Sequence, residues 1–184
     1  MNDTRFSRRR LLGAGAAFGG LSALSLAGCS TIGSGPSIGR VVVVGGGFGG
    51  ATAARYLRMW GGNVDVTLVE RNASFVSCPI SNLVLGGYKQ IGDITRGYDG
   101  LKAMGVKVVQ GEVTAIDAAG KKVRLADGST LAYDRLIVSP GIDFMNEAVG
   151  GLAAPAAQAR FLHSWKAGAQ TVALRQQLEA MKDG

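Results

Sequence analysis

Three glycines at positions 45, 47 and 50, a glutamate at 70 and a cysteine at 78 are the residues whose types and spacing point to chemistry. Within Gly45-Gly46-Gly47-Phe48-Gly49-Gly50 they spell G-x-G-x-x-G. In such a loop the first glycine permits a tight turn, the second lets bare backbone approach a pyrophosphate, and the third lets a helix close onto a strand. Glu70 stands twenty residues past Gly50, where a carboxylate accepts ribose hydroxyls and disfavours a 2′-phosphate. Gly45, Gly47, Gly50 and Glu70 together predict a dinucleotide site. Cys78 follows closely enough to fall at the same carboxyl edge of the sheet, where a bound cofactor lies.

The elements needed to position these groups are present. Arg40-Val41-Val42-Val43-Val44 is a short β-branched run, as for a parallel strand buried on both faces. A helix from about Gly49 to Met59 presents its first N–H groups to phosphate, and Ala53 and Ala54 keep its sheet side small. A second strand, Val64 to Val69, ends at Glu70. A loop that merely turns would leave this strand, loop, helix, strand and acid register unexplained. Further on, Lys107-Val108-Val109, Glu112 to Asp117 and Lys121 to Leu125, with a turn at Asp127-Gly128, predict a small β excursion. Val113, in the second of these strands, joins the cofactor-contacting candidates. Tyr133 to Gly141 predicts a buried strand ending in a turn at Ser139-Pro140-Gly141, with Gly141 beside the cofactor. Gly150 to Ala157 predicts a flexible stretch, and Ser164 to Met181 an amphipathic helix. The predicted fold class is α/β: a Rossmann-like domain with a parallel sheet and a small antiparallel β excursion.

Composition narrows the remaining classes. Two cysteines and one histidine in 184 residues exclude a disulfide scaffold and a zinc cluster. With 47% hydrophobic and 18% charged residues the chain buries a core. Of the net charge of +7, a large part belongs to Arg5, Arg8, Arg9 and Arg10. No basic cluster beyond Lys121-Lys122 remains, so nucleic acid is not an expected partner. Ser7-Arg8-Arg9-Arg10 precedes the uncharged stretch Leu11 to Ala27, which predicts an export signal resembling the twin-arginine type, with an ordinary secretory signal as the alternative. Leu26-Ala27-Gly28-Cys29 resembles a lipobox, making Cys29 a candidate for lipidation; a small-residue cleavage site is the other reading. The expected organisation is a signal over 1–28, a flexible tether over 29–38 and the dinucleotide-binding domain over 39–184.

Three roles stand open for Cys78. It is a buried structural thiol, a redox nucleophile, or a flavin attachment point. Ser74-Phe75-x-x-Cys78 resembles the single-cysteine NADH oxidases and coenzyme A disulfide reductases. More extensively, Phe75-Val76-Ser77-Cys78-Pro79-Ile80-Ser81-Asn82 with Gly86-Gly87 resembles the flavoprotein subunits of flavocytochrome c sulfide dehydrogenases. Gly97-Tyr98-Asp99-Gly100-Leu101, Tyr133-Asp134-Arg135 with Pro140-Gly141, and His163-x-Trp165-Lys166-Ala167-Gly168 extend that likeness over about residues 40 to 184.

The resemblance implies FAD as cofactor, covalently attached through Cys78 as a thioether to the flavin 8α-methyl. It implies sulfide as substrate, a c-type cytochrome subunit as electron-accepting partner, and a periplasmic location. The chain has no C-x-x-C-H, so the haem is expected in trans. In the broader glutathione-reductase-type pattern a second cysteine follows five residues on; Leu83 stands there and excludes that dithiol. The family turn of Ala-Thr-Gly kind is Ser139-Pro140-Gly141 here, keeping only the glycine. A second nucleotide-binding domain and the sulfide-accepting disulfide would lie past Gly184. A non-catalytic FAD-binding remnant is therefore the alternative to an enzyme part. His163 reads first as a helix-start or packing histidine, and Trp165 first as core.

Overall fold

The computed structural model describes residues 35–182. The predicted export signal, Cys29 and most of the tether lie outside the described residues. The chain forms β1 (Gly39–Val44), α1 (Phe48–Trp60), β2 (Val64–Glu70), β3 (Phe75–Val76), α2 (Ser81–Leu85), a 3₁₀ turn (Ile91–Ile94), β4 (Thr95–Arg96) and α3 (Asp99–Ala103). These are followed by β5 (Lys107–Gln110), β6 (Val113–Asp117), β7 (Lys122–Leu125), β8 (Thr130–Ala132), β9 (Arg135–Val138), a second 3₁₀ turn (Asn146–Ala148), α4 (Pro155–Arg160) and α5 (Ala169–Ala180).

Four strands make a parallel sheet in the order β5-β2-β1-β9. The β-branched run of β1 alternates between its faces. Val41 and Val43 face α1 and pack with Ala54, Val66, Leu68 and Tyr98; Val42 faces the antiparallel β6-β7-β8 sheet with Val69, Val123, Leu125 and Tyr133. A strand covered on both faces has no place for polar side chains, which explains the unbroken valines. Asp134 ties the starts of β1 and β9 by accepting from the backbone N–H of Arg40 at 2.8 Å and pairing with its guanidinium at 3.2 Å. That pairing holds the Asp134 carboxyl below its ordinary range and lifts Arg40 further.

Three expectations change. Lys107-Val108-Val109 belongs to the parallel sheet, not the excursion, because Thr67 to Glu70 of β2 pair with Lys107 to Gln110. β9 is an edge strand rather than a buried one, paired to β1 alone among the described strands, so Val138 is 52% exposed. The C-terminal helix starts at Ala169 and not Ser164, since the buried Thr171 hydroxyl accepts the Gly168 N–H at 3.2 Å and fixes the helix start there. Within 150–157, Pro155 opens α4, as proline readily does at a first helical position. No helix among the described residues is long and apolar enough to cross a membrane.

Candidate functional site

The loop between β1 and α1 is shaped by contacts that forbid side chains. Gly45 has φ +96°, and a Cβ there would fall on the Ser139 carbonyl. A Cβ on Gly50 would fall on the Gly45 carbonyl and meet Val43 Cγ1 at 3.3 Å. Both residues are glycine because the protein's own backbone passes too close. Gly47 differs: its added Cβ would meet only Phe75 Cε2, at an ordinary 3.7 Å. The backbone leaves room there, so the bareness of Gly47 suits an incoming ligand. Gly47 also caps α1, whose first turn holds no acidic residue. The free N–H groups of that 13-residue helix face the loop as an anion site.

Glu70 is anchored beside this loop. One carboxylate oxygen accepts the Gly46 N–H at 2.7 Å, and the other accepts the backbone and side-chain N–H of Asn72, both at 2.9 Å. Oε2, with one acceptance used, retains capacity for a ribose hydroxyl, whereas Oε1 is filled by its two bonds from Asn72. Pyrophosphate at the helix start and ribose at Glu70 fit the adenylate half of a dinucleotide. Val113 sits in β6 opposite Leu125, partly buried in the second core cluster. It lies two residues past Gly111, whose N–H donates to the Glu70 carbonyl at 3.0 Å, so β6 leaves the sheet beside the acid.

The cysteine segment lies against the same loop. Phe75 in β3 packs edge-to-face on Phe48, with ring centroids 4.8 Å apart. Cys78 opens a turn closed by Ser81, whose N–H and hydroxyl both donate to the Cys78 carbonyl. The Cys78 thiol is exposed and donates to the Trp165 carbonyl at 3.1 Å, so it is not the buried structural thiol that was one of its three readings. Gly141, with φ +78° and no atom within 4 Å of an added Cβ, turns the chain after β9. The predicted core role of Trp165 is overturned: its side chain is 79% exposed, and its contribution to the Cys78 contact is backbone. His163 packs edge-to-face on Phe144 at 4.5 Å. Lys166 pairs with Asp143 at 2.9 Å and keeps that carboxyl below its usual range.

The structure thus brings Gly45, Gly47, Gly50 and Glu70 into one constellation, with Cys78 reached through Phe75. Sequence reasoning missed Gly46, Asn72, Tyr98 and Ser139. Ser139 was legible only as a departure from a turn pattern, and Tyr98 only as a match without a task. Their roles come from pairings 52 residues apart for Tyr98 and Gly46, and from backbone contacts that no local spacing encodes.

The sequence profile of the family described as pyridine nucleotide-disulphide oxidoreductase matches residues 39–178. The flavoprotein chain of sulfide dehydrogenase (flavocytochrome c) from Chlorobaculum thiosulfatiphilum is 62% identical over 45 residues, covering 24% of this chain and 94% of that sequence. The type II NADH:quinone oxidoreductase NdhA of Mycobacterium tuberculosis is 37% identical over 107 residues, covering 55% of this chain and 22% of that protein. Among solved structures, the sulfide:quinone oxidoreductase of Aquifex aeolicus aligns with a TM-score of 0.63 at 23% identity, over 76% of this chain and 31% of that one, a likeness of fold. Against the last two proteins the chain spans less than a third of their length.

Proposed function

We propose that this chain, which belongs to the pyridine nucleotide-disulphide oxidoreductase family, is the FAD-binding part of an exported sulfide dehydrogenase that oxidises sulfide to sulfur and delivers electrons to a c-type cytochrome subunit. The observation that carries the reading is the 62% identity, over 45 residues, to a sulfide dehydrogenase flavoprotein chain. FAD, when bound, supplies the conversion between two-electron oxidation of sulfide and one-electron delivery to haem.

The residues of this chain hold and orient that cofactor. Gly47 and the start of α1 receive the pyrophosphate, and Glu70 takes a ribose hydroxyl while Gly46 and Asn72 keep its carboxylate in place. The turn at Gly141 lies on the flavin side. Cys78 is the attachment point for a thioether to the 8α-methyl; its exposed thiol, directed by the Trp165 carbonyl, is open to that bond. A covalent link prevents cofactor loss outside the cell and tunes the flavin potential. Export by the twin-arginine route, a periplasmic site of action and a lipid anchor on Cys29 complete the proposal.

Acid precipitation of the flavin-loaded chain tests the attachment. The wild-type pellet stays yellow, and the Cys78→Ser pellet is colourless with its flavin in the supernatant; wild-type flavin wholly in the supernatant removes the covalent role. A second reading, an NAD(P)H-dependent flavin oxidoreductase with Cys78 as redox thiol, is supported by the 37% identity to an NADH:quinone oxidoreductase. Sulfide-dependent cytochrome c reduction by the assembled protein favours the first reading; NADH-dependent reduction without a sulfide response favours the second. Labelled-lipid incorporation lost in Cys29→Ser tests the anchor.

A further inference from the structure

We infer that Tyr98 is a positioning residue for the dinucleotide: with Glu70 it clamps both peptide groups of Gly46 and thereby aims the Gly47 N–H out of the phosphate loop. The inference rests on reading this loop as a dinucleotide site.

Gly46 is the position between the first two motif glycines, to which the motif assigns no task. Both its polar groups are nevertheless engaged. Its N–H donates to Glu70 at 2.7 Å, and its carbonyl accepts the Tyr98 hydroxyl at 3.2 Å. Tyr98 is 7% exposed and packed with Val41, Val43, Ala54 and Leu68, so its ring position is set by the core. A Cβ on Gly46 would lie 2.5 Å from the phenol oxygen and 2.7 Å from Cζ. The phenol therefore fills the space a side chain at 46 would need, and Gly46 is glycine because of Tyr98. Burial, aided by the negative charge of Glu70, pushes the phenol up to about 12, so it remains a hydrogen-bond donor at any physiological pH.

Peptide planarity turns these two bonds into a direction. The described peptide bonds are all trans, and in a trans peptide the carbonyl of one residue and the N–H of the next point oppositely. With the Gly46 carbonyl drawn onto a buried phenol, the Gly47 N–H points away from the core. With the Gly46 N–H held by Glu70, the Gly45 carbonyl turns the other way, towards Gly50, which is why Gly50 admits no Cβ. One phenol and one carboxylate thus set the orientation of the amides at the closest approach to phosphate.

The test uses the full chain with FAD and with ADP, which carries the pyrophosphate without the flavin. Tyr98→Phe keeps the ring and removes the hydroxyl. Calorimetry is expected to show about tenfold weaker binding of both ligands, with the melting temperature nearly unchanged. Amide hydrogen exchange supplies a readout that core loosening alone would not give: Gly47 exchanges at least about tenfold faster in the ADP complex of the variant, while Val43 is unaffected. Undiminished binding by Tyr98→Phe removes the positioning role alone. Absence of wild-type binding to either ligand removes the dinucleotide reading and this role with it. In the wild type, failure of ADP to protect the Gly47 amide overturns the inference whatever the variant does.

Discussion

Around Gly45 to Gly50 the chain is fixed by packing too close to admit side chains, whereas the Cys78 side chain stands exposed against the backbone of a distant segment. In the phosphate loop, Gly45, Gly46 and Gly50 each have no room for a Cβ, and the supporting strands place Val43 and Leu68 at 0% exposure. In the cysteine segment, the Cys78 thiol is exposed and bonded to a carbonyl 87 residues away. Trp165, which supplies that carbonyl, is mostly exposed, as are Ile142 and Met145 in the segment after β9. One region encodes its geometry in steric exclusion and burial. The other presents reactive and apolar groups at the surface, with little of its own core to hold them. The difference teaches that the geometry of the glycine loop is preformed by folding, while the cysteine side is free to vary at small cost to the fold.

The strongest test of this contrast is a pair of alanines in the loop. Gly50→Ala places a methyl on the Gly45 carbonyl, and neither backbone can yield without moving β1 or α1. The expected loss exceeds about 3 kcal/mol, a fall in melting temperature of roughly 10 °C, read by thermal circular dichroism. Gly47→Ala meets only an ordinary contact and keeps the melting temperature while losing dinucleotide binding. Equal losses of stability in the two variants would break the distinction between protein-imposed and ligand-imposed glycines.

A second pair compares the cores directly. Leu68→Ala empties a fully buried site between β2 and α1 and costs about 3 kcal/mol in chemical denaturation. Trp165→Ala removes a larger side chain, yet at 79% exposure it changes stability by less than about 0.5 kcal/mol. A large effect at Trp165 would show that the cysteine side carries a core of its own.

The same contrast explains how much was legible in the sequence. The phosphate loop, Glu70 and the flanking strands follow local rules: β-branched runs, glycines at fixed offsets and an acid at fixed distance. They form with boundaries one residue or so from those expected. Trp165 was misread because aromatic size favours burial unless tertiary packing is wanting, and packing is not local. The misplacement of Lys107-Val108-Val109 has a similar cause. Three strand-forming residues read alike in either sheet, and only pairing with Thr67, Leu68 and Val69 assigns them. Tyr98 was unassigned because its partner is 52 residues distant in sequence.

Alkaline pH offers a smaller effect confined to the phosphate-loop side. The Tyr98 phenol titrates near 10 in the unfolded chain and near 12 in the fold, where burial opposes its charged form. The folded state thus holds this proton more tightly. Its contribution is fully present below pH 10 and is lost as pH rises towards 12. Denaturation midpoints of wild type and Tyr98→Phe are expected to be nearly equal at pH 9 and to separate at pH 11.5, where only the wild type, with a phenol to titrate, loses stability. A constant difference would mean that the phenol is less enclosed than its packing implies.

The smallest effect belongs to Cys78→Ser, and it bears most directly on the contrast. Serine preserves the donor to the Trp165 carbonyl and nearly the volume of the thiol, and the site is exposed, so no cavity opens and no polar group is newly buried. The turn beneath it is closed by Ser81 on the backbone carbonyl of residue 78, which the substitution leaves intact. Stability therefore changes by less than about 0.5 kcal/mol, measured by urea denaturation of the flavin-free chain. The same substitution abolishes any covalent flavin and any alkylation at this position. A loss above about 1 kcal/mol without flavin would mean that the thiol is part of what folds the segment. The cysteine side would then be as self-determined as the phosphate loop, and the asymmetry between the two regions would disappear.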